Sequence, residues 1–385
     1  MVQVAERMSR IQPFYVMDLL ARTRELEAAG RSIIHMEIGE PDFTTPEPII
    51  AAGQAALAAG HTHYTPAKGL PALREAIAGH YQTAYGLALS ADRVIVTPGS
   101  SGALQLVLSA LINPGDSVLL ADPGYPCNRH FVELVDGQPV AVPVGVETGY
   151  QLTAALVNRA WRSDTKAVLV ASPSNPTGTL LSAAEMAALH ELVRARDGAL
   201  IVDEIYQGLV YDETGGTALS LADDIFVINS FSKYFGMTGW RLGWLVAPLD
   251  FIDPLDRLAQ NIYLSAPTLS QHAALDAFSP QVLGILELRR REFQQRRDFL
   301  LPALRELGFA IPVTPQGAFY LYAGCEGVTG DSYRFAYDLL EQAGVAVTPG
   351  RDFGFHRPQS HLRFAYTTAL PKLQEGVERM RRFIG

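Results

Sequence analysis

The chain has 385 residues, 48% of them hydrophobic and 18% charged, with a formal charge of −9. That length exceeds one ordinary core, the apolar content excludes a disordered chain, and the acidic balance argues against a nucleic-acid partner. Cys127 and Cys325 are too few for a disulfide framework, and no apolar run reaches the ~18–20 residues of a membrane span.

The N-terminal MVQVAERMSR lacks the apolar core of a secretory signal. The expectation is a soluble, unprocessed protein of the reducing cytoplasm, with no membrane partner. From about residue 46 to 280, short apolar runs alternate with amphipathic stretches, the pattern of an α/β layer fold. The predicted strands are 94–97, 118–121, 167–172, 200–203, 225–229 and 242–247. Among them the run 225–228 is continuous and apolar, as a parallel strand covered on both faces should be. The helix after Ser100 is apolar enough to be buried. A capping box at Ser182–Glu185 opens another helix, and Gly198 marks its end. Residues 285–306 read as a long charged helix leaving the larger unit, with Pro302 expected to kink or restart it. Short strands at 318–322 and 362–366 and an amphipathic helix at 370–384 follow. They predict a smaller α+β unit completed by the N-terminal segment.

Candidate chemistry clusters where strands should end. SFSKYFGMTGWRLG, 230–243, places Ser230, Ser232 and Lys233 directly after an apolar strand, with Arg241 eight residues beyond Lys233. A reactive amine, hydroxyls and a guanidinium suit an aldehyde cofactor with a phosphate tail. Ser100 and Ser101, in a Gly/Ser turn entering a helix, form a second anion seat. There is no P-loop Gly-Lys-Ser/Thr and no full G-x-G-x-x-G, so neither nucleotide reading is favoured. Asp203 ends the strand of ALIVDEIY and needs a cation or a strong donor if buried; a helix cap is its plain alternative. Glu204 is equally well read as the solvated neighbour, and Tyr206, three residues on, is placed to reach the same ligand. Asn175 lies in the SPSNPTG turn. Tyr125, in DPGYP, is suited to stacking on a planar ring. Arg363 alternates with apolar residues on a strand, so it faces either a buried carboxylate or water. His61 and His63 are the only close histidine pair and have no acidic or cysteine company, so no metal is expected.

Taken together and in this order, these segments resemble the fold-type I pyridoxal-phosphate enzymes, specifically the class I/II aminotransferases of the aspartate aminotransferase superfamily. The resemblance runs from Gly39 in EIGEPDF to Arg363, and the lysine segment matches the family signature at every defined position. It implies a mostly parallel seven-stranded sheet with helices on both faces, spanning 46–285. It also implies a smaller α+β domain built from 1–45 and 286–385. By this resemblance Lys233 holds pyridoxal 5'-phosphate covalently and moves the proton, and Asp203 keeps the ring nitrogen protonated. Tyr206 and Asn175 bond the ring oxygen, and Tyr125 stacks on the ring. Ser100, Ser101, Ser230 and Arg241 hold the phosphate, with Tyr64 reaching in from a second subunit. Arg363, Gly39 and Asn175 take the substrate α-carboxylate.

The implied protein is a homodimeric transaminase with shared active sites. It moves an amino group between an L-amino acid and a 2-oxo acid, 2-oxoglutarate or pyruvate, by a ping-pong mechanism. An aspartate-using subgroup carries a lysine near the position of Ser101. Its absence here makes neutral donors such as alanine or aromatic amino acids at least as well suited as aspartate. The alternative within the fold is a β-eliminating carbon–sulfur lyase or an aminocyclopropane-carboxylate synthase-like enzyme. A DNA-binding regulator is disfavoured, because the 38 residues before Gly39 carry no basic helix-turn-helix pattern.

Overall fold

The computed structural model describes residues 2–212 and 215–385. Its strands are β1 (Ile34–Met36), β2 (Val94–Thr97), β3 (Ser117–Asp122), β4 (Gln138–Pro143), β5 (Thr165–Ala171), β6 (Ala199–Asp203), β7 (Phe226–Ser230), β8 (Gly243–Val246), β9 (Tyr320–Gly324), β10 (Val345–Pro349) and β11 (His361–Ala365). Seven of them form one sheet in the order β2-β8-β7-β6-β5-β3-β4. Only β8 runs antiparallel to its neighbours; every other pairing in this sheet is parallel.

Both faces of this sheet are buried, which explains why its strands read as unbroken apolar runs. Val168, Val170, Leu200, Val202 and Val227 enter one core, while Leu169, Ile201, Phe226 and Ile228 enter the other. The sequence reading missed β4. That strand pairs only with β3, is partly exposed and carries two prolines, as an edge strand can.

Local signals fared unevenly. Ser182 caps the helix Ala183–Arg194 by accepting from the Glu185 N–H at 3.1 Å, but the Glu185 carboxylate accepts instead from Ala154 N at 2.6 Å. The capping box is therefore half-formed, its acidic member tying down a neighbouring helix. That helix ends at Arg194, and the left-handed residue after it is Asp197 (φ 53°), not Gly198. Gly198 is small for another reason, since a Cβ there would meet the Trp161 ring at 2.5 Å.

The smaller sheet has the order β1-β10-β11-β9 and so combines an N-terminal strand with three C-terminal ones. The helix Pro280–Glu306 links the two cores. Its 27 residues span about 40 Å, with Val282 and Leu286 in the core of the large sheet and Phe293, Leu300 and Leu304 in that of the small one. It neither stops nor restarts at Pro302, because buried Leu300, Leu301 and Leu304 hold its last turns in place. Among the described residues no helix is long and apolar enough to cross a membrane. The parallel strands β5, β6 and β7 all end at one edge of the large sheet, facing Arg363 on β11 of the small sheet.

Candidate active site

At that edge lies a cavity of about 490 Å³. Of the residues to which the resemblance gave a role, all but Ser230 and Tyr64 line it. A neighbouring groove of about 530 Å³ shares Tyr125 and Asn175 but has no lysine in its wall, so the reactive groups converge in the smaller space.

Lys233 follows β7 and points its Nζ at the Gly39 carbonyl oxygen, to which it donates at 2.8 Å. Burial pushes its pKa down to about 8, against the pull of Glu40 and with help from the Arg363 and Arg241 charges. An ammonium held this loosely is readily converted to the free, nucleophilic amine. Gly39 must be glycine for a steric reason, because a Cβ there would collide with the Tyr320 hydroxyl.

Asp203 ends β6 and is buried, and one carboxylate oxygen accepts the Ile205 N–H at 3.0 Å. Residues 205–208 form a turn rather than a helix, so the helix-cap alternative fails in its simple form. Burial pushes the Asp203 carboxyl up to about 6, and the Ile205 N–H and the Lys233 charge hold it from rising further. A buried carboxylate without a full counter-ion suits a cationic ligand.

Glu204 corrects an expectation: it is 2% exposed, not solvated. Its Oε1 accepts from Thr217 Oγ1 at 3.2 Å and Ala218 N at 2.7 Å, and burial raises its pKa to about 7.

The helix Gly99–Leu111 begins at the cavity, aiming its free N–H groups and the Ser100 and Ser101 hydroxyls inward. Arg241 adopts a left-handed backbone (φ 52°) and lies against Gly99, where a Cβ would meet its Nη2 at 2.7 Å. Helix start, two serines and a guanidinium make an anion seat. Ser230 is not part of its wall. Its buried hydroxyl bonds Leu242 O at 3.0 Å and Ser232 Oγ at 2.9 Å, which fixes the turn before Lys233. Ser232 lines the cavity instead; the sequence had grouped both hydroxyls with Lys233, and the resemblance had given the phosphate to Ser230 alone of the two.

Arg363 settles the choice left open by its alternating strand. It is 5% exposed and faces inward. Nη1 donates to Asn175 Oδ1 at 3.0 Å, and Nη2 donates to the Glu37 carbonyl and to Thr348 Oγ1 at 3.3 Å. The guanidinium lies 4.4 Å from the Tyr320 ring centroid and 4.8 Å from that of Phe353. Its Nε is buried without a partner, a vacancy that a carboxylate would fill. Tyr206 shares a 2.9 Å hydroxyl–hydroxyl bond with Tyr320. Tyr125 lies on the wall, partly exposed, its hydroxyl accepting from Cys127 Sγ at 3.4 Å. Tyr64 is 80% exposed and stands away from its own chain's cavity.

Tyr320, Asp352 and Glu37 also line the cavity. No motif marked them, because they are brought in by the small sheet and its loops from distant positions in the chain. The assembled groups are a loosely held amine, an anion seat, a buried carboxylate and an unfilled guanidinium. They fit pyridoxal phosphate together with a carboxylate-bearing substrate.

Comparison with known proteins agrees. The family model described as "Aminotransferase class I and II" matches residues 31–380. The chain is 36% identical over 384 residues to "(5-formylfuran-3-yl)methyl phosphate transaminase" of Methanocaldococcus jannaschii, covering 99% of each. It is 38% identical over 372 residues to "Valine--pyruvate aminotransferase" of Mycobacterium tuberculosis, covering 96% of each. A crystal structure of an aminotransferase from Mycobacterium tuberculosis superposes with a TM-score of 0.96 at 37% identity, over 100% of this chain and 99% of that one. With the fold, the site and these likenesses in agreement, the chain belongs to the class I and II aminotransferases, pyridoxal-phosphate-dependent enzymes of fold type I.

Proposed function

We propose that this transaminase works as a cytoplasmic homodimer on an L-amino acid and a 2-oxo acid, with neutral donors and with 2-oxoglutarate or pyruvate as acceptor. The observation that carries this reading is the convergence of Lys233 and Arg363 on one cavity beside an anion seat. When bound, pyridoxal phosphate supplies an aldehyde and an electron-withdrawing ring that acidifies the substrate's α-proton. Lys233 would hold the cofactor, and its Nζ, as the free amine, would take up and return the substrate's proton. Its lowered pKa favours that work near neutral pH. Asp203 places a carboxylate where a protonated ring nitrogen would be its counter-ion. Ser100, Ser101, Ser232 and Arg241 bind the phosphate. Ser230 acts one step back, by holding the turn that carries Ser232 and Lys233. Tyr206, braced by Tyr320, and Asn175 orient the ring oxygen, while Tyr125 covers the ring.

Arg363 takes the α-carboxylate of every substrate, as a reaction run in two symmetrical halves requires, with Gly39 and Asn175 beside it. Tyr64 is proposed to complete the partner's phosphate seat, consistent with its exposure on one protomer. The chain is read as a large domain of 46–285 and a smaller one of 1–45 and 286–385.

A half-reaction tests the proposal. With amino acid and no acceptor, one 2-oxo acid per site should be released and the reaction should then stop. Continuous release of pyruvate and ammonia would instead identify the β-eliminating lyase.

A further inference from the structure

β3 ends in Asp122, which is 3% exposed and lines the neighbouring groove rather than the active cavity. Both of its carboxylate oxygens accept the Phe355 N–H, at 3.1 and 3.0 Å, and Oδ2 also accepts the His356 N–H at 3.2 Å. Two residues on, the Gly124 N–H donates to Phe353 O at 2.9 Å. The turn that carries Tyr125 is thus stitched to the loop between β10 and β11 of the small sheet. The fit is close, because a Cβ on Gly354 would collide with Asp122 Oδ1.

The ordinary explanation for an aspartate at a strand end is that it closes its own turn. Here the donors instead lie 233 and 234 residues away. The loop they belong to meets the substrate site at two points. Phe353 is buried, and its ring centroid lies 4.8 Å from the Arg363 guanidinium. Asp352 lines the cavity and accepts the Tyr15 N–H at 3.0 Å, at the start of the helix Tyr15–Ala28. That helix adds Val16, Met17, Leu20 and Arg24 to the cavity wall. Phe353 is therefore held from both sides, by Asp352 before it and by the bonds to Asp122 just after it. A carboxylate is the stronger choice for such a clamp, since an ionised acceptor binds N–H groups more tightly than a neutral one.

We propose that Asp122 is a positioning residue for substrate binding. From outside the cavity wall it clamps the loop 352–356, sets the Phe353 ring against Arg363, and so fixes the guanidinium that receives the substrate α-carboxylate. The inference rests on the transaminase reading, in which Arg363 has that role.

The test compares wild-type holoenzyme with Asp122→Asn, which keeps the side chain's size but puts an NH2 donor where one oxygen accepts. KM for the amino donor and for the 2-oxo acid should each rise by about tenfold, with kcat within about threefold and the dissociation constant for pyridoxal phosphate within about twofold. Phe353→Leu should raise both KM values similarly. The double variant should be little worse than either single one, because both act through the same guanidinium. Gly354→Ala disturbs the clamp from the loop side and should show the same split, which keeps the test open should Asp122→Asn fail to fold. Unchanged KM values in a less stable Asp122→Asn protein would make Asp122 a plain staple between the two sheets and overturn the proposal. So would additive effects in the double variant, or a loss of cofactor affinity as large as the rise in KM. Absence of amino transfer by the wild-type enzyme would instead remove the transaminase reading, and this inference with it.

Discussion

Asp203→Asn should make the cofactor-free protein more stable while removing most of its activity. In the folded chain, burial lifts the carboxyl from 3.8 to about 6. Between those values the folded state binds more protons than the unfolded one, so stability falls as pH rises from about 4 and levels off above about 6. Linkage over that gap gives a cost of about 1 kcal/mol at pH 4.5 and about 3 kcal/mol at pH 8. Asparagine keeps an oxygen for the Ile205 N–H, which Asp203 accepts at 3.0 Å, but carries no charge to desolvate. The variant should therefore gain about 1 kcal/mol at the lower pH and about 3 kcal/mol at the higher. Urea unfolding at both pH values and one protein concentration measures this. Turnover with saturating cofactor should drop by about 100-fold or more, as expected when a fixed charge facing a reaction centre is lost. No gain at pH 8, an equal gain at both pH values, or normal turnover would refute the reasoning.

His35 provides a test of opposite pH sense. Its hydrogen bond to Glu37, working against burial, raises its pKa from 6.5 to about 9, so its stabilisation is complete below 6.5 and is lost as pH rises through about 9. Solvent at its exposed edge reduces the effect to on the order of 1–2 kcal/mol, which His35→Gln should remove at pH 6 but not at pH 10, by urea unfolding. Tyr64 tests the proposed dimer. Tyr64→Ala and Lys233→Ala proteins, each poorly active, should regain activity when their protomers are exchanged, since one site then has an intact lysine and a tyrosine from its partner. No recovery in confirmed mixed dimers would place Tyr64 outside the partner's site.

The large sheet was legible because burial on both faces writes each parallel strand as an uninterrupted apolar run, as in 225–229. Where burial is partial the signal fades, as in the edge strand β4; the three-residue β1 and the buried β10 also passed unseen, both too short to stand out as apolar runs. The lysine segment was legible because its groups are close in sequence and follow one strand. Even there, whether Ser230 or Ser232 faces the cavity depends on a turn closed by Leu242, which no spacing shows. Glu204 looked solvated beside Asp203, yet the segment at Thr217 and Ala218 folds back to bury it. Asp352 and Tyr320 were hidden for the same reason, as were Glu37 and Arg24. Each reaches the cavity only when the small sheet and the N-terminal helix pack against the strand ends.

The central claim is that Lys233 is the point of covalent attachment. Borohydride treatment of the holoenzyme, followed by proteolysis and mass mapping, tests it most directly. The account predicts one reduced pyridoxyl phosphate group per chain, on the peptide containing Lys233, and none in Lys233→Ala. A label on Lys68, Lys166 or Lys372, or a fully loaded enzyme that yields no label, would contradict it.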